Sequence, residues 1–241
     1  MRLTMNFQLK KPELNADYRR AFLSLLKHSF QLASPDVYEK FYGTGTTMKP
    51  FSFAVFLDQP VCEGDKFHLK SDQITLNFST YRSEWGIYFY NSLIADQRRF
   101  IPYPLPNGNA MTLTRLALIK EKTIHPKQHE AVFKTLSPFL VRRHDKESNR
   151  DVYLTKNDTG FVPQMEAITQ VMIKEVLGST EHVEFTPVSL SDHIRIKHYG
   201  RIVEGICGIF KLTGKPDVLD FIYKAGIGSR RSEGFGLLHL V

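Results

Sequence analysis

The sequence predicts an α+β fold made of two small modules. Two observations carry this: strand and helix signals follow the order β-α-β-β-α-β through the first half, and a second set of strands and helices begins near residue 123. The opening RLTMNFQL places Leu3, Met5, Phe7 and Leu9 on one face of a half-buried strand. In ADYRRAFLSLLKHSFQ, Phe22, Leu25, Leu26 and Ser29 recur at helical spacing beside Leu23 and Phe30. Ser34-Pro35-Asp36 then reads as the start of a short helix. PFSFAVFL is an aromatic-rich strand, and DKFHLK and QITLNFSTY are two more, joined through the turn-prone Ser71-Asp72. EWGIYFYNSLIADQ supplies a second helix and NAMTLTRLALIKEKTI a last strand. Residues 1–122 therefore read as one ferredoxin-like (RRM-like) module.

Residues 123–241 form the second module, on a looser plan. VFKTLSPFLVRR is a strand interrupted at Ser137-Pro138, where proline points to an edge or a bulge. PQMEAITQVMIKEVL carries Met165, Ile168, Met172 and Val176 at helical steps. HIRIKHYGRIVEGICGIFKLTG reads as two strands hinged at Gly200 or Gly205, KPDVLDFIYKAG as a short helix, and the chain finishes on a strand. The polar stretch 145–160 is an expected exposed excursion. Two such modules joined directly should leave a groove between them, suited to an extended ligand.

Lys and Arg number 32 against 25 Asp and Glu, a formal charge of +7, and this balance favours a polyanionic partner. Cys62 and Cys207 have no CxxC spacing, which suits a reducing cytoplasm. Neither a signal-peptide pattern nor a long apolar run occurs, so a soluble protein away from membranes is expected. The nine histidines include no HExxH and no zinc-spaced cluster, so neither a metal nor a cofactor is expected.

The segment KAGIGSRRSEGFGLLHLV sets Gly226, Gly228, Gly234 and Gly236 around Ser229, Arg230 and Arg231. A dinucleotide or P-loop motif needs a helix after its glycines, and GLLHLV leaves room only for a strand. Two readings stay open: a backbone surface for phosphates, or a tight turn with solvated arginines. In RIKHYGR, strand alternation puts Arg195 and Lys197 on one face with Tyr199 and Arg201, cations and an aromatic suited to phosphate contact and base stacking. A solvated sheet face accounts for the same pattern.

The glycine pattern G-x-G-x5-G-x-G near the chain end, with its basic residues, resembles that of the repeat-associated RNA-binding (RAMP) proteins of CRISPR systems, and more closely the Cas6 endoribonuclease family. FKTLSPFLV, RLTMNF with the helix after it, and KPFSFAVF are similar to the family's other segments, so the resemblance covers nearly the whole chain. It implies two tandem ferredoxin-like modules ending in a C-terminal glycine-rich loop at 226–236. It also implies binding of CRISPR repeat RNA and a metal-independent cut of precursor RNA. A 2′-hydroxyl attacks the adjacent phosphate, leaving a 2′,3′-cyclic phosphate and a 5′-hydroxyl. Partners implied are the repeat RNA and other subunits of a CRISPR effector complex; apart from the resemblance, tandem modules can pair as a homodimer through exposed strands.

Such a cut needs a base, an acid and a cation for the phosphorane. The resemblance gives the acid or base role to a histidine on or just after the first helix, which here is His28, on the polar side with Ser24 and Gln31. Where some relatives have a histidine before the K-x-F strand, FYGTGTTMKPF offers only Tyr42 and Lys49. The resemblance assigns RNA binding to Gly226, Gly228, Ser229, Arg230, Arg231, Gly234 and Gly236, and the basic face adds Arg195, Lys197 and Arg201. The competing class is a catalytically inactive subunit that holds repeat RNA, which would bind tightly without cutting.

Overall fold

The computed structural model describes residues 1–43, 48–99, 101–145, 147 and 149–241, so residues 44–47 of FYGTGTTMKPF lie outside the described residues. The first half contains β1 (Arg2–Leu9), β2 (Glu13–Asn15), α1 (Arg19–Ala33), α2 (Pro35–Tyr42), β3 (Phe51–Leu57), β4 (Val61–Glu63), β5 (Lys66–His68), β6 (Gln73–Thr80), α3 (Ser83–Arg99), β7 (Tyr103–Leu105) and β8 (Asn109–Ile119). Its main sheet has the order β3-β6-β1-β8-β7 and is antiparallel throughout, with Met5 opposite Leu76 on one side and Leu116 on the other. The alternation read in RLTMNFQL sets the register: Leu3, Met5, Phe7 and Leu9 are all buried against Phe22, Leu26 and Phe89 of the covering helices. DKFHLK departs from expectation. It pairs with β2 and β4 in a separate three-stranded sheet, because β4 is exposed throughout and has no apolar face to give the main core.

The second half contains β9 (Glu130–Thr135), β10 (Val141–Asp145), β11 (Arg150–Leu154), α4 (Phe161–Leu177), β12 (Glu184–Leu190), β13 (Ile194–His198), β14 (Arg201–Gly205), β15 (Gly208–Thr213), α5 (Pro216–Ala225) and β16 (Leu238–Leu240). The sheet order is β12-β15-β9-β16, again antiparallel. In both halves the first and third strands of the β-α-β-β-α-β path are central and the second and fourth flank them, so each half is a ferredoxin-like module.

Further segments differ from the sequence reading: VFKTLSPFLVRR, read as one interrupted strand, divides at Ser137-Pro138 into β9 and β10, which lie in different sheets. HIRIKHYGRIVEGICGIFKLTG makes three strands, because Tyr199 and Gly200 both take positive φ (51° and 72°) in a two-residue turn that closes β13 and β14 into their own hairpin. The polar excursion contains β11, which pairs with β10 just before it in a hairpin. Glu184–Leu190 is an unread strand whose Pro187 is accommodated at the sheet edge, beside a register shift.

Helix α5 joins the modules. It packs on β9 and β16 of its own sheet and on β3 and β6 of the other, which is why Val218, Leu219, Phe221, Ile222 and Tyr223 are all buried around its circumference. Two hydrogen bonds reach its last turn from the first module: Arg2 Nη2 to the Tyr223 carbonyl and Ser79 Oγ to the Lys224 carbonyl, each 2.8 Å. The Arg2 guanidinium also lies 3.9 Å over the Tyr223 ring. Burial pushes this arginine below its ordinary range, so its partners are what make the charge tolerable there. Among the described residues no helix is long and apolar enough to cross a membrane.

Candidate nucleic-acid interface

The junction of the modules is a cleft of about 400 Å³ whose walls come from both halves of the chain. Lys49 and Met48 line it from the segment before β3, Arg142 and His144 from β10, and Ser229 and Arg230 from the glycine-rich segment. Behind Lys49 stands Tyr42, the last residue of α2, whose ring carries the ammonium of Lys49 at 4.7 Å and that of Lys27 on α1 at 4.9 Å. The Tyr42 hydroxyl is buried with no hydrogen-bond partner among the described residues. Burial, and then the neighbouring Tyr38, Tyr199 and Glu233, push it well above its ordinary value, so it keeps its proton. Lys49 moves the other way. Burial lowers it, Lys27 adds to this and Glu233 opposes it, so its proton is held less tightly than that of a surface lysine.

The β10–β11 hairpin delivers the opposite wall. Its register places His144 directly across from Asp151 and Arg142 across from Tyr153. Asp151 accepts from Arg142 Nη1 (3.1 Å), His144 Nδ1 (3.1 Å) and Arg230 Nη2 (3.4 Å). Burial would raise its carboxyl, but the bonds from His144 and Arg142 and the arginine charges outweigh it, holding Asp151 below the usual range. Arg230 continues the chain of contacts, with Nε donating to the Tyr153 hydroxyl at 2.9 Å and Nη1 to Glu233 at 3.1 Å. Glu233 meets the buried His198, whose other ring nitrogen faces Asp17 at 3.9 Å, and Asp17 in turn accepts the Gly200 N–H. Acid and base thus alternate from the cleft to the start of α1.

Of the four glycines, only Gly228 lines this surface. All are buried, and the N–H groups of Gly226, Gly234 and Gly236 already donate to the carbonyls of Ile222, Arg231 and Pro138. A Cβ at Gly228 would lie 2.7 Å from the Leu140 carbonyl oxygen, one at Gly234 2.8 Å from the Phe53 ring, and one at Gly236 would collide with the Ile227 carbonyl. Gly226 sits equally close to Ser52 of the first module. These positions need glycine because all four take positive φ and a Cβ would meet either neighbouring backbone or the Ser52 and Phe53 side chains of the first module. Arg231 is likewise turned inward, buried and donating to the Gly228 carbonyl at 2.9 Å. Ser229 and Arg230 remain at the cleft.

Arg195, Lys197 and Arg201 lie on the β13–β14 hairpin and are not among the residues that line the cleft. Lys197 pairs with Asp65 at 2.6 Å, and strand alternation ends at His198 because Tyr199 belongs to the turn. His28 is exposed on α1 with its ring 6.1 Å from that of Tyr103; the α1 side chain that meets Tyr42 is the preceding Lys27. The sequence reading did not single out His144, Asp151 or Glu233. The signal for the first two was the hairpin register, which seven residues of separation make possible but do not announce.

Two tandem ferredoxin-like modules with a cationic cleft and a glycine-rich segment threaded through their junction define the repeat-associated RAMP class. The family model for CRISPR associated protein Cas6, C-terminal, matches residues 119–240, half of the chain, and the chain belongs to the Cas6 family. A Pyrococcus horikoshii protein described as a putative CRISPR-associated endoribonuclease-like protein Cas6nc is 29% identical over 127 residues, 46% of this chain and 48% of that protein. That match spans about half the length of the relative. The fold is also that of a Cas6-related protein from Pyrococcus furiosus (TM-score 0.85, 16% identity, covering 100% of this chain and 98% of that one). An RAMP protein that binds different RNA substrates is similar to the same extent (TM-score 0.84, 19% identity, 100% and 99% covered).

Proposed function

We propose that the chain binds CRISPR repeat RNA across the module junction and cuts it by attack of a 2′-hydroxyl on the adjacent phosphate, without a metal. The observation that carries this reading is the convergence of Lys49, Arg142, His144 and Arg230 on one cleft in a member of this family. Three of these side chains are cations with donors, which is what a phosphodiester backbone requires. Lys49, seated on Tyr42 and only partly exposed, is placed to meet charge building on the phosphorane; such a preorganised cation acts more strongly away from bulk water. Tyr42 orients Lys49 and does not serve as the base. Arg230 and Ser229 hold the phosphate next to the cut, while the glycines and Arg231 hold the loop that presents them. Arg195, Lys197 and Arg201 extend the path of the strand, and the rings of His28 and Tyr103 offer a stacking surface on the flank of α1.

The test is single-turnover incubation with repeat RNA in excess EDTA, beside the same RNA carrying 2′-deoxyribose at the cut nucleotide. Cleavage of the first and survival of the second is the expected result. Tight binding with no cut in either would leave a repeat-RNA-holding protein and remove the cleavage reading.

A further inference from the structure

The cleft as described has a cation but no group yet assigned to move the 2′-hydroxyl proton. Tyr42 holds its own proton, and His28 belongs to another face of α1. His198 is buried with both ring nitrogens turned towards carboxylates, so it has no access to a ligand. His144 differs from each of these. It lines the cleft with Lys49, its side chain is half exposed, and one ring nitrogen is engaged by Asp151 at 3.1 Å while the other has no partner among the described residues.

Building on the cleavage reading above, we infer that His144, oriented by Asp151, is the general base of the cut, supplied by the second module across the cleft from Lys49. A carboxylate that accepts from one ring nitrogen fixes the tautomer and leaves the lone pair of the other nitrogen free to accept a proton. The surroundings keep Asp151 in its ionised form: Arg142 and Arg230 share the same carboxylate and, with the bond from His144, hold it below the usual carboxylate range. Atoms and electrons balance without another reagent. His144 takes the proton of the 2′-hydroxyl, the O2′–P bond forms, and the P–O5′ bond breaks with its electron pair going to O5′. O5′ takes a proton from Lys49, and exchange with solvent then resets both groups. Arg142 and Arg230, already in place through Asp151, would hold the nonbridging oxygens.

His144→Ala and His144→Gln test this, and half exposure of the side chain makes both compatible with folding, which a thermal melt would check. The single-turnover rate on repeat RNA should fall by about 10²-fold or more. RNA affinity should stay within about threefold, because Lys49, Arg142 and Arg230 keep the phosphate attraction of the cleft. Added imidazole should restore part of the rate to His144→Ala, a response that a residue with a merely structural role would not give. A variant that cuts as fast as the parent overturns the inference and leaves the cleavage reading standing. Slow cutting with no recovery in imidazole also overturns it, since His144 would then position RNA without taking its proton. A parent protein that binds RNA and never cuts it removes both.

Discussion

Arg231 and Arg230 are the same side chain one residue apart. Burial pushes the first down to about 10, whereas for the second the pull of Glu233 and Tyr153 outweighs burial and holds it above its ordinary value. Arg231 gives one donor, Nη1, to the Gly228 carbonyl inside the loop; Arg230 directs its donors to Tyr153, Glu233 and Asp151 at the edge of the cleft. The glycines divide in the same way from Ser229. They let the segment 226–236 pass within contact of Ser52, Phe53 and Leu140, and Ser229, Arg230 and Ser232 are what the loop offers outward. A glycine-rich basic loop can therefore split into an inner half that clamps two modules and an outer half that faces the cleft. Composition alone does not say where the split falls.

The largest effect should come from the inner half. Gly236 has φ of 65°, and a Cβ there meets the Ile227 carbonyl, so Gly236→Ala combines backbone strain with overpacking and should cost on the order of 3 kcal/mol. In a domain of this size that is a drop of about 6–12 °C in Tm, read by thermal melting. A variant that melts like the parent but loses RNA would mean that the glycine serves the ligand, and the comparison would fail. The next effect belongs to the cleft. Lys49→Ala should lower the single-turnover rate by about 10²-fold, comparable to removing one preorganised donor to a developing charge. Its Tm should change little, because the contact its ammonium makes among the described residues is with the face of Tyr42. Arg230→Ala comes third. Repeat-RNA affinity should fall about tenfold and the slope of log affinity against log salt should flatten by roughly one contact's worth. Loss of stability on the scale of Gly236→Ala, with an unchanged salt slope, would place Arg230 with Arg231 in the clamp.

Much of the fold was legible because its signals are local. Leu3, Met5, Phe7 and Leu9 alternate, Phe22, Leu25 and Leu26 recur at helical spacing, and both patterns end up in the cores they imply. Short elements were harder. β12 contains Pro187, and β13 and β14 are separated only by a tight turn at Tyr199-Gly200, so neither carries a periodicity long enough to separate it from its neighbours. The cleft was least legible, because its charges come from segments far apart in the chain. Lys49 meets Arg142, His144 and Arg230 only after α5 has brought the two sheets together, and no spacing in the sequence encodes that approach. The basic residues next to the glycines were visible as a group, but which of them turns inward depends on Gly228 and Leu140 meeting in the fold.

Lys27 and His28 repeat the lesson of the two arginines on a helix, where consecutive residues point about 100° apart. Lys27 reaches the ring of Tyr42, while His28 faces Tyr103, whose hydroxyl donates to Ser24 one turn earlier on α1. A one-residue offset thus separates the side of the helix that meets Tyr42 from its flank, and the histidine that the sequence offered for proton transfer falls on the flank. The smallest effect is therefore expected for His28→Ala: a single-turnover rate within about threefold of the parent, and an equally small change in affinity from the loss of one stacking ring. The measurement is sharp because the opposite result is large. A rate loss of about 10²-fold with unchanged affinity would mean that bound RNA draws the reacting phosphate to the Tyr103 side of α1. The reaction would then lie outside the cleft between Lys49 and His144, and the separation of flank from cleft would have to be redrawn.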